Sequence, residues 1–270
     1  MYSREMKNTW NRKIMVSVTE HQRDGLNHTD SGLDLLENDE IEIVSMDDLQ
    51  SFEGNFEILG NHRLGPNMML LLSPYNDNTY VRVEEARSLL AIEKGLLTIR
   101  FCSLLGAKSI EVIDFKQVDL DKQMKTKIKG GNNGVTGKGS LEKRSLEKIK
   151  NQITVSGKAT GGKPKFEIAE RMLKENRLNS DPFFRNLYNM VKDYEGEENR
   201  IGVLTQSVLL SHSMQDTLEI IGKVKFPTGY VKGEYKTSLE KKVQIYMTLR
   251  ISFLDEALDS SELLKIEEID

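Results

Sequence analysis

Residues 231–253 have the sequence VKGEYKTSLEKKVQIYMTLRISF, and the two sides of this stretch differ in character. From Val231 to Phe253 every second residue except Lys241 suits a buried face, and the residues between them are polar or amphipathic. Successive side chains of a strand point to opposite faces, so the pattern predicts one buried face and one solvated face. The whole run is about four times the usual strand length of about 5–6 residues.

Two long β-hairpins are predicted, and one of them contains this strand. The first covers about 217–253, because an alternating segment is followed by the turn residues 227–229, PTG, and then by the long strand. The second covers about 107–157, and its tip is the glycine-rich segment 130–140, GGNNGVTGKGS. The return arm of the second hairpin, 141–157, also fits one face of a helix, so both interpretations stay open there.

Apolar residues recur at helical spacing in three further segments. These predict helices over about 82–105, over about 165–194 with a break at Asp181-Pro182, and over about 200–215. Two hairpins that each need an apolar partner can pair into one sheet. The predicted fold is therefore of the α+β class, with an antiparallel sheet of two long hairpins covered by these helices.

The N-terminal part is less regular. Short strands are predicted at 14–18, 41–43, 56–59 and 68–72, and the last should be fully buried because Gly-Pro and Ser-Pro bound an apolar run. The acidic, turn-rich stretch between the first two strands predicts a loop. No linker divides the chain. We expect a single α+β domain over 1–270, with an irregular acidic part at 1–62 and an acidic tail at 254–270.

Composition narrows the class of protein. Hydrophobic residues make up 38% of the chain and charged residues 30%, which is typical of a globular protein with a solvated surface. The single cysteine, Cys102, cannot form an intrachain disulfide, and we expect it to be a buried small hydrophobe. The polar N-terminus lacks the apolar core of a signal peptide, and a cytoplasmic location is expected.

The centre of the chain is basic. Residues 108–163 contain thirteen Lys and Arg against six Asp and Glu, between acidic flanks. Only one of the thirteen is Arg and only one aromatic residue accompanies them, which argues against sequence-specific nucleic-acid binding. A site for a protein partner or an anionic surface, such as a membrane, is predicted at Lys125, Lys127, Lys129, Lys138, Lys143, Arg144, Lys148 and Lys150.

The sequence gives little evidence for a catalytic site. No Ser-His-Asp order, nucleophile elbow or Cys-His arrangement stands out, and the glycine-rich segment departs from the phosphate-binding loop. We therefore expect no enzyme activity, no catalytic residues, no cofactor and no metal. One enzymatic alternative is a metal-dependent phosphodiesterase that uses Asp114, Asp119 and Asp121.

The favoured function is a non-enzymatic interaction or assembly protein that uses the long amphipathic hairpins to oligomerise or to bind a protein partner. The first alternative, ahead of the phosphodiesterase, is a membrane-acting pore-forming effector, since a membrane-spanning strand needs about 9–11 residues with one apolar face and 243–253 qualify. In that alternative the acidic C-terminal tail would inhibit insertion by masking the basic segment.

Overall fold

The computed structural model describes residues 12–48, 56–60, 65–119, 140–156, 161–194, 202–211 and 243–253. The chain divides into two compact units, and the division falls within a long helix between Leu90 and Ala91. The described residues up to Leu90 belong to the first unit, and nearly all of the later ones belong to the second. The single-domain organisation over 1–270, with the parts 1–62 and 254–270, stays a prediction.

The first unit contains a mixed five-stranded sheet. Its elements are β1 (Ile14–Val18), α1 (Glu20–Leu26), α2 (Asp30–Glu37), β2 (Ile41–Ser45), β3 (Glu57–Leu59), β4 (Met68–Leu72) and β5 (Thr79–Arg82). The strand order is β2-β1-β4-β5-β3. The pairs β1–β2 and β3–β5 are parallel, whereas β4 is antiparallel to both β1 and β5.

Two inner strands of this sheet, β1 and β4, are covered on both faces. Every residue of β1 and β4 is buried. Ile14 lies opposite Leu71 on one face, and Met15 lies opposite Leu70 on the other. On the second face a cluster of five buried side chains forms around Met15, and it consists of Met15, Val44, Leu70, Leu72 and Tyr80. The prediction of a fully buried strand at 68–72 is confirmed.

The prediction of a loop between the first two strands is wrong, because helices α1 and α2 lie there. Thr19 and Gln22 form a capping box: the Gln22 N–H donates to Thr19 Oγ1 at 3.3 Å, and the Thr19 N–H donates to Gln22 Oε1 at 2.9 Å. Thr29 caps α2 in a similar way through the Gly32 N–H. The two helices form the crossover that the parallel pairing of β1 with β2 requires.

The second sheet has three strands in the order β6-β8-β7. They are β6 (Ser109–Asp119), β7 (Val203–Leu209) and β8 (Val243–Ser252). The strands β7 and β8 are antiparallel, with Val203 opposite Ser252 and Leu209 opposite Tyr246. The Lys108 N–H donates to the Ser252 carbonyl at 2.7 Å, so β6 begins beside the end of β8 and runs antiparallel to it.

The alternation that predicts the long strand is confirmed for β8. Its buried apolar residues are Val243, Ile245, Met247, Leu249 and Ile251. Of the residues between them, Gln244, Tyr246 and Thr248 are partly buried and Arg250 is exposed. Residues 231–242 lie outside the described residues, so the length of the full run is untested. The strand partners of β8 are β6 and β7. The other arm of the predicted 217–253 hairpin also lies outside the described residues.

The predicted helix over 200–215 is wrong, because 203–209 form strand β7. Leu204 and Val208 lie opposite Ile251 and Met247, on the buried face of the sheet. Their spacing of four residues places two side chains on one face of a helix, but four is also an even number and places them on one face of a strand. The apolar spacing therefore could not separate the two structures.

The return arm of the predicted 107–157 hairpin is a helix, α4 (Ser140–Ser156), so only the first arm, β6, is a strand. The helical alternative for 141–157 is therefore right. Among the α4 side chains that the structure describes, Ile149 and Ile153 are buried. Ile153 fills the space beside Gly95, where an added Cβ would overlap with its side chain.

The other predicted helices are confirmed, and so is the α+β class. They are α3 (Val83–Leu104), α5 (Phe166–Glu175) and α6 (Pro182–Asp193). The predicted break at Asp181-Pro182 is the start of α6, with Asp181 as its N-cap. Of the helices in the described ranges, none has the length and apolar character needed to cross a membrane.

The contribution of the α1 capping box to stability can be tested by substitution of Thr19. Thr19→Ala removes the hydroxyl acceptor of the Gln22 N–H, and we expect the free energy of unfolding to fall by about 1 kcal/mol. Urea denaturation measures the change. Thr19→Ser keeps the acceptor and should lose less than half as much. Equal stability of Thr19→Ala and the original protein would contradict the capping role.

Candidate functional site

Strand β6 lies at one end of the second sheet. In the order β6-β8-β7 it pairs with β8, and the described residues contain no strand on its other side. An edge strand presents a row of N–H and C=O groups that can pair with a strand of another chain. With 11 residues, β6 is about twice the usual strand length and extends about 36 Å. This edge is the candidate interaction site.

The side chains of β6 are poorly covered on both faces. Ile113 is 47% exposed, and Glu111, Asp114 and Lys116 are exposed as well. Phe115 is only partly buried. Long, exposed edge strands with apolar side chains favour pairing with another strand, and natural proteins usually cover or charge them. The sequence of β6 combines isolated charges with five apolar side chains, which are Ile110, Val112, Ile113, Phe115 and Val118.

The opposite edge, strand β7, has a different character. It has 7 residues, and its exposed side chains are Thr205 and Ser207. Ser207 Oγ lies 3.0 Å from Thr248 Oγ1 of β8, so the hydroxyl groups hydrogen-bond across the strands. An edge with short, polar side chains offers less apolar area to a partner. Of the two edges, β6 is therefore the better candidate for strand addition.

The end of β7 is also tied to two helices by a charged group that the sequence analysis missed. Lys94 Nζ lies 2.5 Å from Asp181 Oδ2 and donates to the Leu209 carbonyl at 2.6 Å. The Lys94 side chain is 1% exposed and that of Asp181 is 14% exposed. The other oxygen of Asp181 accepts the Phe183 N–H at 3.0 Å as the N-cap of α6.

These bonds satisfy the Lys94 ammonium inside the unit and join α3, α6 and the end of β7. Buried charges are costly unless they are paired and hydrogen-bonded, as this one is. A sequence signal was present, because Lys94 is four residues after Leu90 and three before Leu97 on the apolar face of α3. A lone lysine on such a face indicates a buried charge with a partner.

The predicted basic site is only partly within the described residues. Lys125, Lys127, Lys129 and Lys138 lie outside them. Lys143 and Arg144 belong to α4, but only its backbone is described there. Lys148 and Lys150 are exposed on the same helix. Residues two apart on a helix do not point in the same direction, so these two lysines do not form one patch by themselves. Binding to an anionic surface stays a prediction.

The carboxylates of the phosphodiesterase alternative are not brought together in what the structure describes. Asp114 is exposed on β6, Asp119 ends that strand, and Asp121 lies outside the described residues. Within the described ranges no group of three or more His, Cys, Asp or Glu side chains could hold a metal ion. The alternative therefore stays untested.

Cys102 is buried, as predicted, and burial raises the pKa of its thiol to about 12. The nucleophilic form of cysteine is the thiolate, which is a negligible fraction at neutral pH when the pKa is this high. The side chain therefore acts as a small hydrophobe in the core of the second unit.

Among the residues that the structure describes, Tyr80 also has a strongly shifted pKa. Burial, with the negative charge of Glu42 as a smaller contribution, raises the pKa of its phenol to about 12. The hydroxyl donates to the Arg12 carbonyl at 3.0 Å. The Arg12 guanidinium in turn donates to the Asn38 and Ile41 carbonyls and lies 3.0 Å from Glu42. These contacts fasten the chain before β1 to the sheet and have a structural role.

The Lys94–Asp181 pair generates a stability prediction. Asp181→Asn keeps a side-chain acceptor for the N-cap but leaves the Lys94 ammonium buried without its carboxylate. We expect the free energy of unfolding to fall by about 3 kcal/mol. Lys94→Met removes the buried charge instead, and Asp181 keeps its solvent contact and the Phe183 N–H, so the loss should be about 1 kcal/mol.

Urea denaturation of both variants measures this difference. The difference between the two losses of stability is the diagnostic result. Asp181→Asn leaves the buried Lys94 ammonium without its carboxylate, whereas Lys94→Met leaves the Asp181 carboxylate with some solvent contact. A loss for Lys94→Met that equals or exceeds the loss for Asp181→Asn would contradict the account of the pair.

Comparison with known proteins identifies no relative. No protein-family model matches the chain, and neither the curated proteins nor the solved structures contain a match. The function is therefore inferred from the residues of this chain alone.

Proposed function

We propose that this chain is a non-enzymatic assembly protein and that β6 is its assembly surface. In this proposal, a strand of a partner adds to the second sheet along the outer side of β6. The observation that carries the proposal is the position of an 11-residue strand at the edge of the sheet, with Ile113 47% exposed.

The physical support is the backbone of β6. Strand addition supplies affinity through main-chain hydrogen bonds and specificity through alternate side chains. Each such bond contributes about 0.5–1.5 kcal/mol net, so several bonds along a strand of this length offset part of the cost of association. Burial of Ile113 and Phe115 against a partner would add a hydrophobic contribution.

The pore-forming alternative has less support. It required two long amphipathic hairpins, and the return arm of the predicted 107–157 hairpin is helix α4. The strand β8 retains the alternation that a spanning strand needs, but its apolar side chains are buried in the second sheet. No observation on the described residues favours this alternative over assembly.

The proposal predicts that association depends on the exposed face of β6. Ile113→Lys places a charge where a partner strand would pack, and we expect it to weaken self-association at least tenfold. Sedimentation velocity over a range of protein concentrations measures the dissociation constant. A matched control is Ile168→Lys on α5, because Ile168 is 44% exposed and lies in the same unit but not on the sheet.

Ile168→Lys should associate like the original protein, and the urea midpoints of both variants should match it at a dilution where the original protein is monomeric. The original protein staying monomeric up to millimolar concentration would overturn the proposal. Equal weakening by the two substitutions would overturn it as well, since a general effect of added charge would then explain the result.

A further inference from the structure

We infer that the strand added to β6 is β6 of a second copy of this chain, antiparallel and related by a two-fold axis at Phe115. This inference rests on the proposed function and specifies the partner and the register of the same surface. The distribution of charge along β6 supports it.

Two-fold symmetry fixes which residues meet. When two antiparallel strands are related by an axis perpendicular to the sheet, the residue on the axis lies opposite its own copy. The residue n positions before the axis then lies opposite the residue n positions after it in the second copy. Opposite residues point to the same face, with Cβ atoms about 4.5–5.5 Å apart. A strand that pairs with itself therefore needs a self-complementary sequence.

The sequence of β6 has this property around Phe115. Asp114 and Lys116, both exposed, flank Phe115. With the axis at Phe115, Asp114 lies opposite Lys116 of the second copy, and Lys116 lies opposite Asp114 of the second copy. On the same face, Val112 lies opposite Val118 of the second copy. Two opposite-charge pairs thus lie beside the axis, and an apolar pair lies on each side of them.

Neighbouring axes do not give this complementarity. An axis at Asp114 or at Lys116 places a charge opposite its own copy, which is unfavourable. An axis at Ile113 places Asp114 opposite Val112 and Lys116 opposite Ile110, so neither charge is paired. Among the axis positions 113 to 116, only Phe115 places both Asp114 and Lys116 opposite a residue of opposite charge. Toward the strand ends this register places Glu111 opposite position 119, also acidic, and that pair opposes association.

The test exchanges the charges. Asp114→Lys places Lys opposite Lys116 twice in a self-dimer, and Lys116→Asp places Asp opposite Asp114 twice. Each variant alone should therefore self-associate about thirtyfold more weakly than the original protein. An equimolar mixture of the two variants restores both opposite-charge pairs, so it should form a heterodimer with near-original affinity. Sedimentation velocity measures the affinity, and native mass spectrometry identifies the heterodimer by its mass.

A variant with both substitutions in one chain is the folding control. Asp114→Lys combined with Lys116→Asp exchanges the two charges and keeps the self-complementary pattern, so it should self-associate like the original protein. At a dilution where the original protein is monomeric, all variants should keep its urea midpoint, because both side chains are exposed.

The outcomes separate this inference from the proposed function. If Ile113→Lys blocks association but the charge variants and their mixture behave like the original protein, the register at Phe115 is wrong and assembly through β6 stands. If the single variants are weakened and the mixture does not recover, the two-fold pairing is wrong. If the original protein does not self-associate, both proposals fail.

Discussion

The second sheet depends on the position of β8 between two other strands. Its alternate apolar side chains, from Val243 to Ile251, are buried, and both of its backbone edges are used by β6 and β7. A strand that is paired on both sides and buried on one face is fixed in register, because a slip of one residue would expose its apolar side chains. Because β8 is paired on both sides, the edges of the described sheet are formed by its outer strands, β6 and β7.

The two outer strands of the second sheet, β6 and β7, differ in length and in their exposed side chains. The last residue of β7, Leu209, accepts a hydrogen bond from the buried Lys94 ammonium, and the exposed side chains of this strand are short and polar. In contrast, β6 is longer and has an exposed Ile113 between exposed charges. The buried Lys94–Asp181 pair fastens the β7 edge, whereas the β6 edge carries the exposed Ile113. This difference favours the β6 edge for the proposed association.

Much of the fold could be predicted from periodicity, and the errors have identifiable causes. Alternating or breaker-bounded apolar runs correctly indicated β1, β4 and β8. Residues four apart, such as Leu204 and Val208, share a face in both a strand and a helix, so their spacing did not decide between them. The capping box at Thr19 was a local signal for a helix that the acidic composition of the segment obscured. The candidate site depends on strand order, which nonlocal pairing sets and a single sequence does not reveal.

The most direct test of the central claim, that the outer side of β6 is open and closes on assembly, is residue-resolved amide hydrogen exchange along Ser109–Asp119. Alternate amides of an edge strand point away from its only neighbour. We predict that these amides exchange fast in dilute protein and become protected at concentrations where the chain associates. Amides that are slow at every dilution would contradict an open edge, and amides that stay fast in the assembled protein would contradict pairing through β6.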